Sequence, residues 1–166
     1  MKNLAVIRNS LRDIAMLLAK DEHIQKFLLV DAYDVDGASF TPISLDEMLK
    51  KNYICLTPQN ENAIKDMGRN TFLMIVLQDV QITEASLNAT GRIYVATDQE
   101  HSMVKNYQDR ALILSDYILR LLDGVKISAS GEVHVTYISR VVYNELLSGY
   151  QISFKYSDQN NSEVEI

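Results

Sequence analysis

The run from Val104 to Gly124 constrains this chain most. Tyr107, Ala111, Leu114, Ile118 and Leu121 recur at steps of four and three, which lines them along one side of an α-helix of roughly five turns. Leu112, Ile113, Tyr117, Leu119 and Leu122 widen the apolar side, so the helix needs cover on more than one flank, with Lys105, Asp109, Asp116 and Arg120 left for water. Gly124 after Asp123 supplies the left-handed residue that ends a helix. So apolar a helix needs a sheet, and strand-like stretches lie on both sides of it.

Before it, Leu4, Ile7, Leu11, Ile14 and Leu18 predict an amphipathic helix over about residues 3 to 20. Asp21 then reads as the N-cap of a second, short helix carrying Ile24, Phe27 and Leu28. Ser44 to Glu47 forms a capping-box pattern for a third short helix through Lys51, and Tyr53 to Leu56 is a brief strand. Phe72 to Leu77, apolar on both faces, fits a central strand continuing through Ile82, with Asn88 to Thr97 as its antiparallel neighbour. After the long helix, Val133 to Tyr143 and Tyr150 to Tyr156 alternate as a closing pair of strands. The expected fold is α+β: a mostly antiparallel sheet of four to five strands packed against one long helix and an N-terminal helix pair.

A chain of 166 residues suits one core. The single domain is expected over residues 1–157, followed by a polar, acidic, flexible tail over 158–166. No apolar run is long enough to span a bilayer, and Arg8, Arg12 and Asp13 interrupt the N-terminal apolar stretch, so no signal peptide is read there. A single cysteine, Cys55, gives no disulfide framework. Synthesis in a cytosolic compartment is expected. The net charge of −6 excludes a protein that grips nucleic acid by neutralising its phosphates.

Reactive patterns are missing. There is no glycine-rich phosphate loop, nucleophile elbow, HExxH or paired CxxC. Asp31, Asp34, Asp36 and Gly37 resemble the start of a calcium loop, but the spacing puts Ala32 and Ile43 where the first and last ligands belong, which makes this an acidic turn. His23, His101 and His134 are scattered, and Cys55 sits in an apolar strand. No catalytic, cofactor or metal residue is therefore assigned. Thr57 to Asn70 carries Pro58 and Gly68 without periodicity, and a connection of this length is a candidate contact arm. The candidate contacts are Asn60, Glu61, Lys65, Asp66 and Arg69 on that arm, with Asp98 and Glu100 beyond the Asn88 to Thr97 strand. An alternative is a small cytosolic enzyme or ligand-binding domain with its site around His101, Asp98 and Glu100.

The stretch Leu17 to Phe27, a helix, an Asp and a second helix, the Pro58 segment after a short strand, and the closing Gly149 to Tyr156 strand together resemble the tail terminator and tail-completion proteins of long-tailed bacteriophages. The Asp31 to Asn52 region and the acidic tail have no counterpart in that pattern, which leaves another neck component open. The resemblance implies a non-enzymatic virion protein at the tail-head junction. It would form a ring, a hexamer, that ends the tail tube, meets a head-side connector or stopper, and lets DNA pass without specific binding or any membrane contact. An acidic channel wall would suit that passage, because like charges repel over a Debye length.

Overall fold

The computed structural model describes residues 4–57, 68–83, 86–127 and 131–159. Two helices, α1 (Leu4–Lys20) and α2 (Glu22–Leu29), open the chain. They break at Asp21, whose carboxylate accepts the Ile24 N–H at 2.9 Å, satisfying one of the orphan donors of a helix start. The third helix, α3 (Leu45–Lys50), begins the same way, with Ser44 Oγ accepting the Glu47 N–H at 3.2 Å.

The remaining chain builds a curled, six-stranded mixed sheet, a half-barrel. Its strands are β1 (Ile54–Cys55), β2 (Thr71–Ile82), β3 (Ser86–Asp98), β6 (Val125–Ile127), β7 (Gly131–Val142) and β8 (Leu147–Gln159), in the order β1-β2-β3-β8-β7-β6. A separate hairpin pairs β4 (Met103–Val104) with β5 (Gln108–Asp109). Within the large sheet β1 runs parallel to β2, and the other neighbours are antiparallel. One extra residue, Gln78 in β2 and Thr136 in β7, interrupts the register of each outer long strand, and such bulges add local twist.

The expectation of four to five strands against one long helix is corrected here. The fourth helix, α4, covers only Arg110–Leu122, 13 residues, and α1 with 17 is longer. Val104 to Asp109 leave the helical path because Asn106 and Tyr107 take positive φ, 66° and 58°, and the Lys105 N–H bonds the Tyr33 carbonyl at 2.9 Å. Asp109 then caps α4 by accepting the Leu112 N–H at 3.0 Å. Tyr107, which matched the helical spacing, is 85% exposed. The brief strand expected at Tyr53 to Leu56 is β1, Ile54–Cys55, and the strand not expected in the large sheet is β6, whose three residues are too few to carry an alternation. Gly124 does end α4, with φ +75°.

The core lies between the helices and one face of the sheet. Ile75, Ile93, Ile152 and Ile138 stand in register across β2, β3, β8 and β7, a single rung of isoleucine. Ile14, Leu18, Ile24, Phe27, Ala111, Leu114 and Ile118 cover that face. Gly149 lets β8 approach β3 closely, since a side chain there would run into the Val95 carbonyl oxygen. On the other face Phe72, Ala96 and Leu147 form a small second cluster under Tyr143. Residues 160–166, most of the expected tail, lie outside the described residues, and β8 itself continues to Gln159, past the boundary expected at Ser157.

Candidate functional site

Two features stand out chemically: the margins of the sheet and a knot of loops at one end of it. At one margin β1 pairs only with Leu73 and Met74 of β2. Among the described residues nothing pairs with the rest of that edge, Ile75 to Ile82. At the opposite margin β6 pairs only with Gly131 to Val133 of β7. The Val135 N–H is taken by the Asp123 carboxylate at 3.0 Å, and Tyr137 to Val142 then has no outer partner among the described residues. Unpaired strand edges are templates for another strand, and these two carry exposed apolar side chains: Val80, Tyr137 and Val142 are 38%, 55% and 70% exposed. The helix-free face between them mixes charges, with Arg92 and Lys155 beside Asp79 and Glu132.

The knot is centred on Arg110, fully buried at the start of α4. Its Nε donates to the His101 carbonyl at 2.8 Å, Nη1 to the carbonyls of Val30 at 2.6 Å and Phe27 at 3.2 Å, and Nη2 to that of Ala32 at 2.8 Å. Burial lowers its pKa, while the charges of Asp31 and Asp98 pull the other way. A single planar fork thus ties the end of α2 and its following loop to the turn after β3. Sequence reasoning missed Arg110. The available signal was a cation in the first turn of a helix, where the macrodipole disfavours it, so that another interaction must hold it there.

The residues singled out from the sequence divide around this knot. Asp98 Oδ1 accepts from the His101 N–H and lies 2.8 Å from both that nitrogen and His101 Nδ1. The far ring nitrogen, Nε2, is 3.5 Å from the Asn70 amide, which donates to Asp31 at 2.8 Å. The Asp98–His101 pair therefore points at an amide and not at a hydroxyl or thiol nucleophile, and its geometry fastens the turn. Glu100 lies beside Asp98, Gln99 and Leu146 on an open groove of about 490 Å³. Arg69 is engaged within the chain: Nε donates to the Lys51 carbonyl at 2.7 Å, Nη1 to the Tyr53 hydroxyl at 3.0 Å, and the guanidinium stacks 4.4 Å over the Tyr53 ring. Asn60, Glu61, Lys65 and Asp66 lie outside the described residues.

The acidic turn has local partners. Asp34 accepts the Gly37 N–H at 3.0 Å and pairs with Lys105 Nζ at 2.9 Å, and the Lys105 hydrogen bond and the Gly37 N–H hold its carboxyl below the usual range. No group of three or more metal-binding side chains occurs among the described residues. Burial pushes the Cys55 thiol up to about 11, leaving little thiolate at neutral pH. No helix among the described residues is long and apolar enough to cross a membrane. No family model and no curated protein matches the chain.

Proposed function

We propose that this chain is a non-enzymatic structural subunit that joins copies of itself, head to tail, into a ring. Its place is the virion, at the head-proximal end of a long phage tail, where the ring ends the tail tube and meets the head-side connector while DNA passes without specific binding. The observation that carries the reading is the pair of strand edges at opposite margins of one sheet that are open among the described residues. Two unlike complementary surfaces make a heterologous contact, and such a contact closes into a ring when the rotation permits. The resemblance to tail terminators rests on the Leu17 to Phe27 stretch, the Pro58 segment after a short strand and the closing Gly149 to Tyr156 strand. A hexamer is the stoichiometry this implies.

Mass photometry across a concentration series, alone and with tail-tube protein, tests the reading, with negative-stain images of the largest species. A ring several chains in size is expected. A strict monomer under every condition would sink it. The enzyme alternative draws its support from the 2.8 Å Asp98–His101 contact beside an open groove. Against it stands Asn70 at the far ring nitrogen, where a nucleophile would be needed.

A further inference from the structure

Resting on the assembly reading above, the register assigns a specific joint: the open edge of β7 in one copy pairs antiparallel with the open edge of β2 in the next copy. Three independent features of the sheet lead there.

The first is direction. From β2 through β3 and β8 to β7 every neighbour is antiparallel, so β2 and β7 run opposite ways. A copy related by rotation keeps those directions, and its β2 arrives antiparallel to the β7 it meets.

The second is level. Traced through β8 and β3, Tyr137–Val142 lies opposite Thr71–Val76, whereas the open stretch of β2, Ile75–Ile82, lies opposite Gly131–Ile138. The centres of the two open stretches are thus offset along the strands by about four to five residues, roughly 15 Å at ~3.3 Å per residue. Four strands spaced by ~4.8 Å are roughly 19 Å wide. That offset across that width corresponds to strands inclined by about 40° to a ring axis, inside the ~35–45° that closed sheets adopt. In a flat, untilted array the open stretches would miss each other; on a closed ring they meet.

The third is chemistry. Arg140 is the one charged residue on the open stretch of β7, and Asp79 the one on that of β2. In this joint they stand on opposite faces, Arg140 beside Tyr150 on the core side and Asp79 beside Thr90 on the helix-free side, whereas joining β7 to β7 or β2 to β2 sets the same charge twice on one face, which is unfavourable. The inward and outward alternation then selects the register. Setting Ser139 opposite Asp79 places Tyr137 opposite Gln81 on the helix-free face, and Ile138 opposite Val80 on the core face. The bulge at Gln78 takes up one residue opposite Arg140, so Val141 meets Val76 and Val142 meets Ile75, each pair again on one face. A slip of one residue would turn every side chain to the wrong face.

Disulfide trapping tests the joint. In a chain carrying both Ser139→Cys and Asp79→Cys the two thiols sit at opposite margins of one copy, too far apart to bond within it. Mild oxidation is expected to give a ladder of covalent oligomers on non-reducing gels, while buried Cys55 stays out of the exchange. The pair Ser139→Cys and Gln81→Cys, on the same face but two residues out of register, is expected to give roughly tenfold less product. Melting curves check that both variants fold like the parent. Rings that form without cross-linking at the first pair, or with more at the second, overturn this joint and leave the assembly reading standing. A chain that stays monomeric at every concentration overturns both.

Discussion

The knot around Arg110 and the open margins of the sheet treat the same chemical group in opposite ways. Backbone carbonyls of Phe27, Val30, Ala32 and His101 converge on one buried side chain, so irregular loops are closed off inside the molecule. Along Tyr137–Val142 and Ile75–Ile82 the outward backbone groups of regular strands have no partner among the described residues. Irregular backbone is satisfied internally, and regular backbone is left on offer. The difference separates what holds one copy together from what is available to a second.

Substitutions at the two regions should therefore divide cleanly between folding and assembly. The largest loss of stability is expected for Arg110→Ala, which strands several buried carbonyls at once: about 3 to 5 kcal/mol by urea denaturation. Arg110→Lys should recover little of it, because one ammonium cannot span the fork. A loss under about 1 kcal/mol would mean that water replaces the guanidinium without penalty. Ile118→Ala, fully buried on α4, should cost about 2 to 4 kcal/mol by the same measurement and leave ring size unchanged.

A smaller effect is expected at the exposed Lys105–Asp34 pair. Asp34 is held below its ordinary value of 3.8, so its contribution to stability is present above that value and fades as pH falls through the lower folded-state pKa. Lys105 is raised above its ordinary 10.5, so its share is present below that value and is lost as pH rises past the raised one. In Lys105→Met, NMR titration should show the Asp34 carboxyl moving up towards its ordinary value. At the opposite extreme from Arg110, Val142→Asp on the open β7 edge should change stability by less than about 0.5 kcal/mol. It should still abolish the ring in mass photometry, and an unchanged ring would remove β7 from the contact.

How much of this was legible in the sequence follows the range of the interactions. Asp21 and Ser44 announce α2 and α3 because a cap acts within one turn of its own residue. The alternation of Tyr150, Ile152, Phe154 and Tyr156 marks β8 for a similar reason. Tyr107 misled, since its spacing from Ala111 and Leu114 fits a helix and nothing local reveals that Asn106 and Tyr107 turn left-handed to dock Lys105 on Tyr33. The three-residue β6, too short to alternate, depends on the completed topology that lays β7 beside it. So does the fact that β2, apolar enough for the sheet centre, ends up beside the margin. Of the candidate contacts, Asp98 and Glu100 do flank an open groove, whereas Arg69 is occupied by Lys51 and Tyr53. The two edges were invisible and Arg110 showed only as a cation misplaced at a helix start, because each is defined by partners that only the completed topology brings near or withholds.

The acceptors around Arg110 are amide oxygens, which neither gain nor lose a proton over the range in which proteins are handled, and a guanidinium keeps its own. Acidification should then undo the Asp34 contact at the periphery while the central fastening persists, and an acid-treated chain should keep α2 and α4 docked after that outer turn has loosened.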